Sequence, residues 1–366
     1  MESTEKITGT QLSLLIFSFI APTVILVIPG LMAKFSKQDA WITILPASLI
    51  GALSIWLMIK LSERYPNQSI IEYSSQIIGK WPAKALGLYF IYYWLNFDFI
   101  ILNQHIQFIN TVLLHRSPAI VISLTLVFLC AIAVTMGVEA IARCNGYLAL
   151  LILILLIPLL VLMLSESDPS RLRPVMSKGI VPVLQGSVFP AAYFSQFFIL
   201  GWLLPHLNRP QIKSKASFIG LFNIASLLGI TLIPLIMVFG PLTDKLTFPV
   251  LSVIQYIGLK GSLERLEALA VVIWVMGCFV KISLTIFILC ASIGDLIQIK
   301  RYKSFVMPVT ILSVIGSVSV FQNYATDLNN YLSYSYPVYA LFTQIMLPLG
   351  LLLIDSIKRG LRKAVL

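Results

Sequence analysis

The stretches SFIAPTVILVIPGLMAK, residues 18–34, and LQGSVFPAAYFSQFF, residues 184–198, decide how this chain folds. Both are apolar enough to lie within a membrane, and both are interrupted, by Pro22, Pro29 and Gly30 in the first and by Gly186 and Pro190 in the second. Proline has no N–H to donate and its ring clashes with the preceding turn. Each break therefore frees backbone groups that a neighbour, water or a ligand must satisfy. The two stretches stand first in two successive sets of apolar runs, and matched interruptions of this kind predict an inverted repeat with its site where the breaks meet. The plainer alternative is a pair of ordinary proline kinks.

Of 366 residues, 58% are hydrophobic and 11% charged, with a mean hydropathy of +0.92, against the roughly 45–50% apolar share of soluble domains. This composition excludes an ordinary soluble domain and predicts an all-α integral membrane protein. A helix needs about 20 apolar residues to cross a core of about 30 Å. Ten runs qualify: 11–33, 40–59, 85–114, 119–136 and 146–164, then 183–204, 218–242, 268–293, 305–321 and 338–357. We number them spans one to ten. The proline-bearing segment SESDPSRLRPVMSKGIVP, 165–182, parts them five and five, giving one transmembrane domain over 1–366 with repeats at 10–164 and 183–358. The first run is too long for a cleaved signal and no small-residue cleavage pattern follows it, so it is expected to stay as a span.

Lys and Arg concentrate in cytoplasmic loops. With the N-terminus inside, sixteen of the 26 basic residues fall in inner loops and nine in outer ones, so both termini are expected in the cytoplasm. The net charge of +11 then faces anionic lipid headgroups of the bilayer and needs no nucleic acid to explain it. Cys130, Cys144, Cys278 and Cys290 have no CxxC spacing and are expected to pack as small residues. There is no zinc-ligand spacing, phosphate-binding glycine loop or Ser-His-Asp arrangement, so no metal, cofactor or enzymatic reaction is expected.

Two charges fall well inside spans. Lys281 lies about 13 residues, or about 20 Å, from either end of span eight, too far for its side chain to snorkel out. It must be met by protein or water; burying it there costs at least about 2.5–3.5 kcal/mol, so something in the bundle offsets that cost or the lysine is neutral there. Gly277 and Thr285, four residues to either side, suit a closely packed inner face. Asp98 lies in span three, where Asn96, Asn103, Gln107 and Asn110 form one stripe while Asp98 and His105 lie nearly opposite. Asp98 has two readings: a counter-ion to Lys281 or receptor of a ligand amine, and an acceptor of backbone or hydroxyl hydrogen bonds. His105 is expected to be a satisfied structural histidine, the amides to knit helices together, and Glu139 and Arg143 to pair along a helix. The segment FPVLSVIQYIGLKGSLERLEAL, 248–269, is too short to span. Val250, Val253, Ile254 and Ile257 recur at helical spacing, predicting a helix on the outer surface or plugging a vestibule, against a plain connector.

That segment, continued to Lys281, together with ITGTQLSLL (7–15), QDAWI (38–42) and YPNQSIIEYSSQIIGK (65–80), resembles the spore germination permease family. Its more specific parts are Phe248-Pro249 and Glu264-Arg265-x-Glu267 followed by Ile273-Trp274. The resemblance implies an amino acid/polyamine/organocation superfamily, LeuT-like fold, with helices one and six interrupted and a small nutrient ligand between helices one, three, six and eight. It also implies a place in the spore inner membrane beside a receptor A subunit and a lipoprotein C subunit. Carried onto this chain, the site comprises Pro22, Thr23, Val24, Asp98, Ser187, Pro190, Ala191, Ala192, Tyr193, Gly277 and Lys281. One departure matters: relatives of this fold often have glycines at the break in helix one, whereas here it reads Ala21-Pro22-Thr23-Val24, and Pro22 cannot donate to a ligand carboxylate. The nutrient is then an amino acid held in another way, a sugar or a nucleoside, or the subunit senses nothing by itself. In transporters of this fold helix eight forms a cation site against helix one, and the ammonium of Lys281 is expected to take that place. The competing classes are a proton-coupled amino acid permease in which Lys281 or Asp98 titrates, and a passive scaffold or conduit.

Overall fold

The computed structural model describes residues 5–114, 116–260, 266–299, 301–321, 327–328 and 330–365; Glu264, Arg265 and Lys300 lie outside them, as do the side chains of Lys260, Arg362 and Lys363. The chain is helical nearly throughout. The first half holds α1 (Gly9–Leu26), α2 (Ile28–Ser36), α3 (Ile44–Arg64), α4 (Ile70–Ile78), α5 (Lys80–Val112), α6 (Ala119–Met136) and α7 (Val138–Ser165). The second holds α8 (Val181–Phe194), α9 (Leu200–Leu203), α10 (Lys213–Phe239), α11 (Pro249–Lys260), α12 (Leu266–Ile297), α13 (Val306–Ser319), α14 (Tyr336–Leu341) and α15 (Leu347–Val365). Among the described residues, ten stretches are long and apolar enough to cross a membrane, as expected. An even number of crossings returns the chain to the face from which it started.

Local chemistry sets the boundaries. Thr8 begins α1 with a reciprocal cap: its Oγ1 accepts from Gln11 N (3.2 Å) while Gln11 Oε1 accepts from Thr8 N (2.8 Å). Ser69 and Glu72 repeat the device at α4, and such caps satisfy helix-end donors. Gly137, at φ +107°, turns α6 into α7 in a conformation glycine reaches without strain.

Both first-of-half helices are interrupted, about one turn beyond Pro22 and Pro190. α1 passes through Pro22 and stops at Leu26; Val27 (φ −118°, ψ −34°) breaks the path before Pro29 opens α2. Pro22 is tolerated because neighbours satisfy carbonyls around it: Trp274 Nε1 donates to Pro22 O (3.0 Å) and Lys281 Nζ to Phe19 O (2.8 Å). In the same way Gly186 and Pro190 lie inside α8, and the interruption is the tighter 3-10 segment Ser195–Ile199 before α9. α2 ends at its cap residue Lys37 (φ +50°), and a second 3-10 segment, Lys37–Thr43, turns the chain into α3, so spans one and two part there, between the two expected runs.

At the face bearing the chain ends, Ile7 N donates to His206 O (2.8 Å) and Asn208 N to Ile7 O (2.9 Å). Glu5 accepts from Val138 N (2.9 Å), the Tyr302 hydroxyl (3.0 Å) and Lys303 Nζ (3.0 Å). At the opposite face Lys37 pairs with Asp244 (2.6 Å), and Asp39 caps Met176 N (2.9 Å). There the segment from 248 forms α11, begun by Pro249, with Val250, Leu251, Val253, Ile254 and Ile257 buried against α12, α10, α7 and α1. It is a packed helix, not a plain connector.

Candidate functional site

Lys281 stands at the middle of α12 with none of its surface exposed. Its Nζ donates to Phe19 O (2.8 Å) and Thr23 Oγ1 (2.9 Å) of α1 and to Gln196 Oε1 (3.1 Å) in the 3-10 interruption of span six. Three acceptors match the three N–H groups of an ammonium. The rings of Phe19 and Phe97 lie 4.6 and 5.1 Å away, Phe97 belonging to α5. One charge therefore touches helices from spans one, three, six and eight. Hydrogen bonds to a charged group contribute roughly 1.5–3 kcal/mol each, so two of them already offset the insertion cost. All three acceptors are neutral oxygens, and no carboxylate among the described residues pairs with Lys281.

A chain of polar side chains leads away from it. Gln196 Nε2 donates to the Tyr336 hydroxyl (2.7 Å). Beside it Ser195 Oγ reaches Gln344 Oε1 (2.5 Å), whose Nε2 donates to the Tyr93 hydroxyl (2.5 Å) on α5. Ser54 Oγ donates to Ser195 O (3.0 Å), tying the same interruption to α3. Span ten supplies its two members from unusual backbone: π-helical turns at Tyr331–Ser335 and Phe342–Met346 flank α14, so Tyr336 follows one and Gln344 sits in the other. Such wide turns are common at functional sites.

Of the residues expected at the site, Pro22, Thr23, Gly277 and Lys281 meet at the α1–α12 crossing. A Cβ on Gly277 would collide with the Pro22 ring, so only glycine permits this approach. Val24 is buried beside them. Tyr193 joins through Tyr336, their rings 5.0 Å apart. Ser187, Pro190, Ala191 and Ala192 are buried farther along α8; Ser187 Oγ donates to Leu184 O (2.7 Å), and the neighbouring Gly186 packs on Ser36 and Met32 of α2. Asp98 does not pair with Lys281. It follows Phe97, and 100° per residue turns it away from the ammonium toward Ser313 of α13 and Cys130 of α6.

Other expectations divide. Glu139 and Arg143 form their helix pair, and Asn103 knits α5 to α13 through Ser317 O (2.8 Å). Asn96 instead bonds within its own helix, to Tyr92 O (2.9 Å). His105 is buried, but its Nδ1 has no hydrogen-bond partner among the described residues, so that nitrogen is not satisfied as expected. The residues not foreseen are Phe19, Phe97, Gln196, Trp274, Tyr336 and Gln344. The available signal was a neutral amide inside an apolar run, as in SQFF and FTQIM.

Residues 6–325 match the family described as "Spore germination protein". Spore germination protein KB of Bacillus subtilis is 28% identical over 367 aligned positions, covering 98% of this chain and 96% of that one. Spore germination protein YndE of the same organism is 28% identical over 297 positions, 80% of each chain. Among solved structures, MhsT in complex with L-phenylalanine superposes with a TM-score of 0.70 at 11% identity, covering 96% of this chain and 98% of that one. Mhp1, a nucleobase-cation-symport-1 family transporter with bromovinylhydantoin bound, gives 0.68 at 12% identity, covering 93% and 76%. These likenesses fix the LeuT-like fold.

Proposed function

Because this chain belongs to the spore germination permease family, we propose that it is the nutrient-sensing membrane subunit of a spore germinant receptor, working beside an A subunit and a lipoprotein C subunit. We take residues 10–164 and 183–358 as its two repeats, place both termini in the cytoplasm and set the chain in the spore inner membrane. The ligand is a small nutrient, an amino acid or similar, held between spans one, three, six and eight. Pro22, Thr23, Val24, Tyr193, Gly277 and Lys281 form the near side of that site. Ser187 and Pro190 to Ala192 line the approach along α8.

The observation that carries this reading is the Lys281 junction. A fixed ammonium ties α12 to α1 and to the interrupted part of span six, in the position where transporters of this fold hold a coupling cation. Since its partners are neutral oxygens, an electron-rich group on the nutrient gains by approaching it. That approach competes for the N–H groups now given to Thr23 and Gln196, so binding changes how the two halves are joined. A ligand shifts such an equilibrium only by its differential affinity for the two states, and the partner subunits read the shift.

The test is nutrient-triggered germination of spores whose only B subunit carries Lys281→Met, at wild-type membrane level. Loss of the response or a changed nutrient requirement supports the reading; an unchanged response ends it. Uptake of the nutrient into vesicles by the chain alone would instead establish the permease.

A further inference from the structure

Asp98 lies at the centre of a second polar cluster that the Lys281 junction does not use. It is wholly buried in α5, and neither carboxyl oxygen accepts a hydrogen bond among the described residues. No ion pair reaches it there either. The groups facing it come from every helix packed on that side: Ser313 from α13, Cys130 from α6 and Cys290 from α12. Ser283 of α12 lies beside Cys130 and its buried Oγ has no partner. His105, two turns along α5, is the titratable group on the same face of its own helix. None of the facing groups is a cation.

Two of these neighbours direct their hydrogens elsewhere. Ser313 Oγ donates to Val309 O (2.9 Å) and Cys130 Sγ to Phe279 O (3.6 Å). With its hydrogen on Val309 O, Ser313 Oγ faces Asp98 as an acceptor. A carboxylate has nothing to give, and as an uncompensated anion at mid-membrane it is costly. A carboxylic acid has one O–H to donate, and the arrangement lacks one hydrogen between Asp98 and Ser313.

We propose that Asp98 is a proton-binding site, separate from Lys281, at which one proton taken from the aqueous phase rests on a carboxyl oxygen and is donated to Ser313 Oγ. The proton adds one positive charge per chain within the membrane and lets α5 close on α13, α6 and α12. Removing it leaves an anion that these helices cannot satisfy. A metal ion is disfavoured as the occupant, because the faces supply thiols where a hard cation needs oxygens.

The experiment is infrared difference spectroscopy on the full chain in lipid nanodiscs, wild type minus Asp98→Asn, at neutral pH. Asparagine mimics the shape of the neutral acid. One carboxylic-acid C=O band present in wild type and missing in the variant is expected; no such band overturns the proposal. Ser313→Ala, which removes the acceptor and keeps the acid, should shift the band to that of a free carboxyl, and an unshifted band overturns the pairing. Loss of the wild-type band on adding sodium at fixed pH would assign the site to an alkali ion and overturn the proton. Thermal unfolding gives an independent reading. The folded chain holds a proton that the unfolded chain releases, so as pH rises wild type should lose up to tenfold in its folding equilibrium per pH unit relative to Asp98→Asn. Equal slopes in the two proteins overturn the proposal.

Discussion

Gly277 and Pro22 touch with no side chain between them, and a Cβ on Gly277 would overlap the pyrrolidine ring. That approach sets how far Lys281, one turn on, must reach to Phe19 and Thr23. Gly277→Ala is therefore expected to push α1 from α12 and to lower stability by about 1–3 kcal/mol, the usual range for overpacking. A detergent melting curve checks this, and a curve identical to wild type would show that the crossing is not tight.

Gln196 lies in the interruption of span six and Gln344 reaches it from span ten, and the two serve different partners. Gln196→Leu strips Lys281 of an acceptor and the Tyr336 hydroxyl of a donor. Gln344→Leu frees only neutral groups, Ser195 and Tyr93. Leaving a buried neutral group unmet costs about 1–3 kcal/mol, and more for a charged one. The first substitution should thus damage folding and nutrient response more than the second. The comparison is made on germination dose–response curves at matched protein levels, and the reverse order would contradict the geometry.

Glu5 fastens the first residues to α7 and to the start of span nine. Glu5→Gln keeps the shape but removes the charge that Lys303 pairs with. This pair is partly exposed, so only about 0.2–1 kcal/mol is expected from it. The visible effect should be local: faster amide exchange at residues 5–8 and 206–208, with the rest of the bundle unchanged. Uniformly faster exchange would mean that the contact supports the whole fold.

Asp355 is nearly buried and accepts from Arg64 (2.8 Å), Tyr65 (2.7 Å) and Arg359 (2.9 Å). Burial and the neighbouring carboxylate push the Tyr65 phenol above its ordinary range. Asp355→Asn removes the anion, so the tyrosine should titrate at lower pH than in wild type. Ultraviolet pH titration against a Tyr65→Phe control checks the direction, and an upward movement would refute the assignment.

Much of the scaffold was legible in the sequence because membrane physics leaves few choices. Runs of about 20 apolar residues must be helices, and a mid-span lysine must be met from within. What was not legible is rotation and exact placement. Pro29 marked the interruption of span one, but Pro22 and Pro190 did not mark one at their own positions, since the helix runs on through each, with Trp274 and Lys281 satisfying carbonyls beside Pro22. Asp98 differs from Phe97 by one position, yet that single step decides which faces Lys281. Gln196 and Gln344 carry no charge, so a lone amide in an apolar run was the one weak signal they gave. Their roles depend on a 3-10 segment and π-helical turns, which no periodicity reveals.

The ammonium of Lys281 is part of the chain, so it has no concentration. Adding salt cannot fill its position and dialysis cannot empty it. No gradient of sodium or another metal ion can be drawn down through that point, in a resting cell or an active one. Work to part α1 from α12 there comes from the binding of another molecule or from the release of the lysine's own proton, and the free energy of that event sets the ceiling on how far the joint can move.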